Sequence, residues 1–150
     1  DLTAAATCFD KGATKLLYTQ YFLKSLLPKA RQFGGFDEQL AHCKTIRDFD
    51  EAFTAPLHGF KNAEAYYAEA SSKSLLPNIA TPTLLINGRS DPFIPPEALP
   101  TEAEVSSAVT LLQPKYGGHA AFVDGSGKGN LQWLPQTVLS YFDQAMHKAV

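Results

Sequence analysis

The sequence contains few cysteines and no long apolar run, and neither sign of charge dominates it. Its two cysteines, Cys8 and Cys43, form no CxxC pair, which excludes a disulfide framework and fits a reducing compartment. His42 precedes Cys43, but no second Cys/His pair follows at the spacing of metal ligands, and we therefore expect no zinc site. No apolar run reaches the roughly 18 residues that a transmembrane helix requires.

The charges are nearly balanced, with 13 basic and 15 acidic residues and a formal net charge of -2. No basic block or stripe occurs, which argues against a nucleic-acid partner. The composition, 45% hydrophobic and 19% charged, is that of a globular protein. The chain starts at Asp1 without a Met and without a signal-peptide pattern. We therefore expect a cytoplasmic protein whose N-terminal portion precedes this sequence.

Helices dominate the predictions for about residues 1–80. Apolar residues surround most of a helix predicted over Thr14–Phe33, which indicates cover on more than one side, and Pro28 and the later glycines mark its end. Thr45–Phe60 has no period and predicts a short helix with an irregular loop. Asn62 is a suitable N-cap for a further helix that ends near Ser72.

Two continuous apolar runs, Thr83–Gly88 and Val109–Lys115, are typical of strands buried on both faces of a parallel sheet. The segment between them is polar and holds Pro100, which allows a short crossover helix at most. The order strand, crossover, strand predicts a right-handed βαβ unit at the edge of an α/β sheet. Because two parallel strands do not form a stable sheet alone, we expect further sheet from a missing N-terminal portion or from a partner chain.

The end of the chain predicts an amphipathic helix that covers this sheet. Its apolar positions recur at helical spacing, and Pro135 is acceptable in a first turn. The stripe consists of Leu134, Val138, Tyr141, Phe142, Ala145 and Ala149.

Asp91 and His119 are the candidates for chemistry. Asp91 follows the first strand in "INGRSDPF", and His119 follows the second in "KYGGH". Catalytic groups collect at the carboxyl edge of parallel strands, where an acid can accept the Nδ1–H of a histidine and leave Nε2 free as a general base. Singly, each has a structural alternative, because Ser-Asp-Pro suits a turn and a histidine can be an ordinary loop residue. Their joint placement favours an acid–base pair.

Around these residues the sequence resembles the α/β-hydrolases. In "LLINGRSDPFIPPE", four residues match the pattern around the triad acid of that superfamily, Gly-x-x-Asp followed by an apolar residue and Pro. They are Gly88, Asp91, Ile94 and Pro95. "GGHAAFV" resembles the histidine loop. More narrowly, three ordered blocks, which begin at "IRDFDEAF", "LPNIATPTLL" and "GGHAAFV", resemble the YheT-like branch of bacterial esterases and abhydrolase-domain lipases.

The resemblance implies a fold class and a reaction. The fold would be α/β, the C-terminal portion of one α/β-hydrolase domain with an incomplete sheet. Lid-region helices would occupy about residues 1–80, and the last two parallel strands, the acid and histidine loops and a covering helix would occupy about 81–150. The reaction would be hydrolysis of a carboxylic ester or lipid by a Ser-His-Asp triad, without metal or cofactor. Ala120 and Ala121 stand where the branch more often has Val-Gly, which changes the packing beside the histidine but retains it.

The nucleophile of such a triad is absent from this sequence. The family places its serine in a Gly-x-Ser-x-Gly elbow that precedes the acid and the histidine. No serine here has that spacing, and Ser126, in "DGSGKG", has glycines as immediate neighbours and follows His119. We therefore expect the elbow upstream of Asp1 and an inactive isolated chain. The stretch "GSGKGN" lacks the first glycine and the Ser/Thr of a phosphate-binding loop, and we interpret it as a surface loop.

The segment 45–60 also holds candidate side chains. Three acids and His58 could form an acid–base or metal group, but their spacing favours a solvated segment. Four apolar side chains would suit a lid or pocket wall against an acyl chain. The acids are Asp48, Asp50 and Glu51, and the wall residues are Phe49, Phe53, Leu57 and Phe60.

A hypothesis of another class is a non-catalytic fragment or interaction module that associates through an exposed sheet edge. A Gly-x-Ser-x-Gly motif in the coding sequence upstream of Asp1 would favour the hydrolase. An initiator Met at this point would favour the module.

Overall fold

The computed structural model describes residues 1–125 and 128–148. Ser126 and Ala149, which enter the predictions above, lie outside the described residues. The chain forms two compact units, Asp1–Ser71 and Ser72–Val150.

The first unit consists of helices joined by short turns. They are α1 (Leu2–Phe9), α2 (Gly12–Thr14), α3 (Gln20–Arg31), α4 (Asp37–Leu40), α5 (Ile46–Phe49), α6 (Ala55–Leu57) and α7 (Ala63–Ala70). Two π-helical turns, Lys15–Thr19 and Asp50–Thr54, connect α2 with α3 and α5 with α6. Two longer helical runs therefore cover residues 12–31 and 46–57.

The run over residues 12–31 confirms the predicted helix, but Pro28 lies inside it and does not end it. A proline removes one N–H from the helical ladder and destabilises the helix. Leu23 and Ala30, on either side of Pro28, are buried in the core of the unit, and this burial offsets the lost hydrogen bond. The helix ends at Arg31.

The run over residues 46–57 shows that the predicted irregular loop is wrong. A capping box begins the run, because Thr45 Oγ1 accepts the N–H of Asp48 at 3.0 Å and Asp48 Oδ2 accepts the N–H of Thr45 at 2.9 Å. In the π turn, the N–H of Ala55 donates to the carbonyl of Asp50. This wider turn shifts the phase of the side chains, and the segment therefore shows no 3.6-residue period.

Two apolar clusters form the interior of the first unit. The larger consists of Leu23, Ala30, Leu40, Phe49 and Phe53, and the smaller joins α1 to α7 through Ala6, Ala63 and Tyr67. Asn62 caps α7 as predicted, since its Oδ1 accepts the N–H of Ala65 at 2.9 Å. Tertiary packing holds these short helices, most of which are too short to be stable alone.

The N-terminal half of the long run presents an apolar face. Leu16, Leu17 and Tyr21 are exposed, although the sequence predicted cover on more than one side of this helix. On another side, Phe22 packs on Phe9 of α1 with ring centroids 5.6 Å apart.

The second unit is built on a parallel pair of strands. Its elements are a 3-10 segment (Ser72–Asn78), β1 (Thr83–Ile86), two 3-10 turns (Pro96–Ala98 and Glu102–Glu104), β2 (Val109–Leu112) and α8 (Trp133–Lys148). The pairing of β1 with β2, in register from Thr83↔Val109, confirms the predicted parallel pair. β1 is half-buried throughout, and in β2 only Val109 is buried, so the described residues alone do not bury both faces of the strands. In the described part of the chain, no third strand pairs with either edge.

Helix α8 lies near Leu84 of β1 and turns part of the predicted stripe inward. The half-buried members are Leu134, Val138, Tyr141 and Ala145. Phe142 is 57% exposed, so its assignment to the covered stripe is wrong. Because two strands cover only a narrow arc of α8, the apolar side chains on the neighbouring arc stay exposed. They are Leu139, Phe142 and Met146. Among residues 1–125 and 128–148, no helix has both the length and the hydropathy to cross a membrane.

Candidate active site

Backbone hydrogen bonds continue past the ends of the two strands. The N–H of Asn87 donates to the carbonyl of Leu112 at 3.0 Å, and the N–H of Arg89 donates to the carbonyl of Pro114 at 2.9 Å. These bonds keep the loop after β1 beside the loop after β2. The side chains that follow are thereby held at one edge of the sheet.

Asp91 is a buried carboxylate at this edge. A turn holds it there, since its N–H donates to the carbonyl of Gly88 at 3.1 Å. Its Oδ1 accepts the N–H of Phe93 at 2.8 Å, and its Oδ2 lies 2.8 Å from Nδ1 of His119. The side chain is only 2% exposed, and a buried carboxylate needs such partners to replace water.

His119 is the exposed partner of this contact. Its side chain is 57% exposed, and the ring of Phe93 packs against it in an edge arrangement with centroids 5.3 Å apart. With Asp91 ionised, Nδ1 donates its proton to the carboxylate, and Nε2 is then the nitrogen that can accept a proton from a reactant. The structure thus brings together the two residues predicted as catalytic, in a geometry suited to general acid–base chemistry.

Phe122 supports the histidine loop. It is buried and packs on Trp133 at the start of α8, with ring centroids 4.9 Å apart. Gly117 has a φ of +146°, and a Cβ there would lie 2.4 Å from Cδ1 of Phe122, so only glycine fits between the loop and the ring. The N–H of Gly118 donates to the carbonyl of Ala121 at 2.8 Å and closes the turn that contains His119.

Ser90 joins the two loops through its side chain. Its Oγ donates to the carbonyl of Gly117 at 2.9 Å and accepts the N–H of the same residue at 3.1 Å. Sequence reasoning missed this role, because Ser-Asp-Pro equally suits an isolated turn and nothing in the pattern marks a partner 27 residues away.

The acids of segment 45–60 support the helices around them. Asp48 caps α5, and Oε2 of Glu51 accepts the N–H of Ala63 at the start of α7 at 2.7 Å. Asp50 accepts hydrogen bonds from two hydroxyls, one of which belongs to Tyr67 at 2.7 Å. Burial raises the pKa of Asp50, although these hydroxyl bonds lower it in part. Burial and the bond to Asp50 in turn raise the pKa of Tyr67. His58 lies exposed after α6.

The four predicted wall residues fall into two pairs. Phe49 and Phe53 are buried in the larger core cluster, where their ring centroids are 5.4 Å apart. Leu57 is exposed, and Phe60 is half-buried against Tyr66 with ring centroids 5.5 Å apart. Only the second pair is at the surface of the unit.

No metal-binding group stands out among the described residues, in which three or more His, Cys, Asp or Glu side chains nowhere come together. Cys43 donates through Sγ to the carbonyl of Gln39 at 3.6 Å, and burial raises the pKa of its thiol. The neighbouring His42 is exposed.

The comparisons with known proteins agree on one family. A family model described as the alpha/beta hydrolase fold matches residues 16–126. The chain is 30% identical over 145 residues to YheT of Escherichia coli, which is named as an esterase, and this match covers 91% of the chain and 42% of YheT. It is 31% identical to the phospholipase ABHD3 of Homo sapiens, over 95% of the chain and 36% of that protein.

A third relative is the monoacylglycerol lipase of Saccharomyces cerevisiae, with 38% identity over 61% of the chain and 21% of the lipase. The chain therefore spans less than half the length of each of these relatives. No solved structure matches it at a significant level.

Proposed function

Because this chain belongs to the α/β-hydrolase family, in the branch of YheT and ABHD3, we propose that it is the C-terminal portion of a serine-type carboxylic ester hydrolase. The observation that carries the proposal is the 2.8 Å contact between Nδ1 of His119 and Oδ2 of Asp91. Both residues follow neighbouring parallel strands, and the acid precedes the histidine in the chain, as in the family order of serine, acid and histidine.

In the proposed reaction, His119 is the general base. Its Nε2 takes the proton of the serine hydroxyl while the serine oxygen bonds to the acyl carbon, and the imidazolium then gives that proton to the leaving alcohol. Asp91 accepts the Nδ1–H, orients the ring and stabilises its charged form. In the second half of the reaction, Nε2 takes a proton from a water molecule while the water oxygen bonds to the acyl carbon. The imidazolium then returns that proton to the serine oxygen as the carboxylic acid leaves.

The serine and the backbone donors for the oxyanion belong, in this proposal, to a portion of the protein that precedes Asp1. Ser90 lies beside the acid, but its hydroxyl is bonded to Gly117 and it has no Gly-x-Ser-x-Gly context. We therefore propose that residues 1–150 alone have no triad catalysis.

The proposed substrates are acyl esters, including those of lipids. The relatives named above are an esterase, a phospholipase and a monoacylglycerol lipase, and the names esterase and lipase describe hydrolysis of an ester bond. For contact with the acyl chain we propose the two surface residues of the predicted wall, Leu57 and Phe60. Phe49 and Phe53 are buried in the larger core cluster and would hold the helical run 46–57 in place.

We also propose that the preceding portion, or else a partner chain, adds strands to the sheet and covers its apolar surroundings. β1 is half-buried, and α8 exposes Leu139, Phe142 and Met146 on one arc. Exposed apolar side chains that cluster in this way are typical of an interface. An interaction module that associates through the sheet edge would expose the same residues, and activity separates the two possibilities.

The test is hydrolysis of p-nitrophenyl esters by the full-length protein. We expect activity in the wild type and a loss of about 10²- to 10⁴-fold in kcat/KM in His119→Gln, the effect of removing a general base. The control is His42→Gln, which changes an exposed histidine outside the pair and should leave the rate unaltered. Full activity in His119→Gln would overturn the proposal, and a wild type inactive on every ester would favour the interaction module.

A further inference from the structure

We propose that Ser90 is a positioning residue that sets the contact between Asp91 and His119. Its hydroxyl acts as a clamp, because it bonds the loop after β1, the acid loop, to the loop after β2, the histidine loop. This inference rests on the proposed function. Ser90 would touch neither the substrate nor the reacting atoms. Its effect on the reaction would pass through the backbone of Gly117.

The clamp stands where the backbone ladder between the strands ends. The last ladder bond runs from the N–H of Arg89 to the carbonyl of Pro114. Beyond it, the hydroxyl of Ser90 supplies two hydrogen bonds to the backbone of the histidine loop, beside the side-chain contact between Asp91 and His119. One hydroxyl can donate and accept at once, and Ser90 uses both capacities on the carbonyl and the N–H of Gly117.

The clamp lies within a few bonds of the proposed catalytic contact. Ser90 directly precedes Asp91, and Gly117 is separated from His119 by a single residue. A shift of Gly117 relative to Ser90 therefore changes the distance between Asp91 Oδ2 and His119 Nδ1, which is now 2.8 Å. Such a bond weakens once the atoms separate beyond about 3.2 Å, so a displacement of a few tenths of an ångström matters.

Packing holds the histidine loop on one side, where Gly117 meets the ring of Phe122, and Ser90 adds hydrogen bonds to the main chain of Gly117. Gly117 has no side chain to anchor it, and its φ of +146° is one of several conformations open to a glycine. Without Ser90, neither main-chain group of Gly117 has another hydrogen-bond partner in the described part of the chain. The hydroxyl selects the one loop conformation that faces His119 toward Asp91.

The first test compares Ser90→Ala, Ser90→Thr and Ser107→Ala in the full-length protein, with p-nitrophenyl esters as substrates. We expect kcat to fall about 10- to 100-fold in Ser90→Ala with KM little changed, because misplacement of a catalytic group slows the chemical step. Ser90→Thr retains the hydroxyl and should restore most of kcat. Ser107 is exposed and its side chain makes no hydrogen bond within residues 1–125 and 128–148, so Ser107→Ala should behave as the wild type.

The second test is independent of activity. An imidazole N–H donated to a carboxylate gives a far-downfield proton resonance, and we expect that of His119 Nδ1–H in the wild type and in Ser107→Ala. In Ser90→Ala it should broaden or move upfield. If Ser90→Ala unfolds below the assay temperature, Ser90→Thr and Ser90→Val replace it. These two side chains have the same shape and differ only in the hydroxyl.

A Ser90→Ala variant with wild-type kcat and an unchanged resonance would show that Ser90 does not set the Asp91–His119 contact. The proposed hydrolase function would still stand. If the wild type hydrolyses no ester, the proposed function fails, and the resonance alone decides whether Ser90 sets the contact.

Discussion

Gly88 and Gly117 approach each other so closely that a Cβ placed on Gly88 would lie 2.7 Å from the carbonyl oxygen of Gly117. The obstructing atom belongs to the backbone, which cannot rotate aside as a side chain would. This approach lets the loop that carries Asp91 reach the loop that carries His119. A glycine at position 88 is therefore a steric requirement of the Asp91–His119 contact.

We predict that Gly88→Ala separates the two loops. The added methyl group would push Gly117 away from Ser90 and lengthen the Asp91–His119 contact, and we expect kcat/KM of the full-length protein to fall about 10²-fold. The matched control is Gly118→Ala, whose Cβ would only reach the carbonyl oxygen of Ala121 at 3.5 Å. Equal activity in the two variants would show that the close approach is not needed.

Phe53 should contribute to the stability of the folded protein. Its ring is buried against Phe33, Phe36 and Phe49, and Phe53→Ala should lower the free energy of unfolding by about 3–5 kcal/mol. Leu57→Ala, at a position 38% exposed, should lower it far less. Urea unfolding of the full-length variants measures both values, and similar losses would contradict the placement of Phe53 in the core.

Leu57 should affect the preference for long-chain over short-chain esters. A charge at this surface position leaves the core intact but would weaken contact with an apolar acyl chain, so Leu57→Asp should reduce the rate on long-chain esters more than on acetate esters. The ratio of kcat/KM for p-nitrophenyl palmitate and p-nitrophenyl acetate measures the effect. Equal losses on both substrates would remove Leu57 from the proposed acyl-chain contacts.

Asp48 should make stability depend on pH. Burial disfavours its charge, but hydrogen bonds from Lys44 and Thr45 outweigh burial and lower the pKa of Asp48 below its ordinary value of 3.8. A group with a lowered folded-state pKa stabilises the protein above its unfolded-state pKa, and this contribution disappears as the pH falls through the folded-state value. Asp48→Asn should therefore lower the melting temperature at about pH 7, and the deficit should shrink toward about pH 3.

The control for this prediction is Glu69→Gln, which neutralises an exposed carboxylate of the same unit. It should change the melting temperature little at either pH. A deficit in Asp48→Asn that stays constant over the whole range would show that the charge of Asp48 contributes nothing.

The sequence was most informative where one local rule decides the structure. Continuous apolar runs located β1 and β2, and parallel pairing alone places the residues that follow them at one edge, which is why Asp91 and His119 could be expected near each other. Asn62 was recognisable as a helix cap because the capping side chain and its partner lie three residues apart.

Other features depend on contacts that no local pattern encodes. The π turn over Asp50–Thr54 removes the period that would have revealed the helical run. Phe53 and Leu57 are both apolar, and the pattern cannot tell which of them faces the core. The bond between Ser90 and Gly117 joins residues 27 positions apart and exists only once both loops have formed.

The most direct test of the central proposal is labelling by a fluorophosphonate probe, which reacts with the activated serine of a triad. We expect labelling of the full-length protein, strongly reduced labelling of its His119→Gln variant, and no labelling of residues 1–150 alone. Labelling of the isolated chain, or undiminished labelling of His119→Gln, would contradict the proposal.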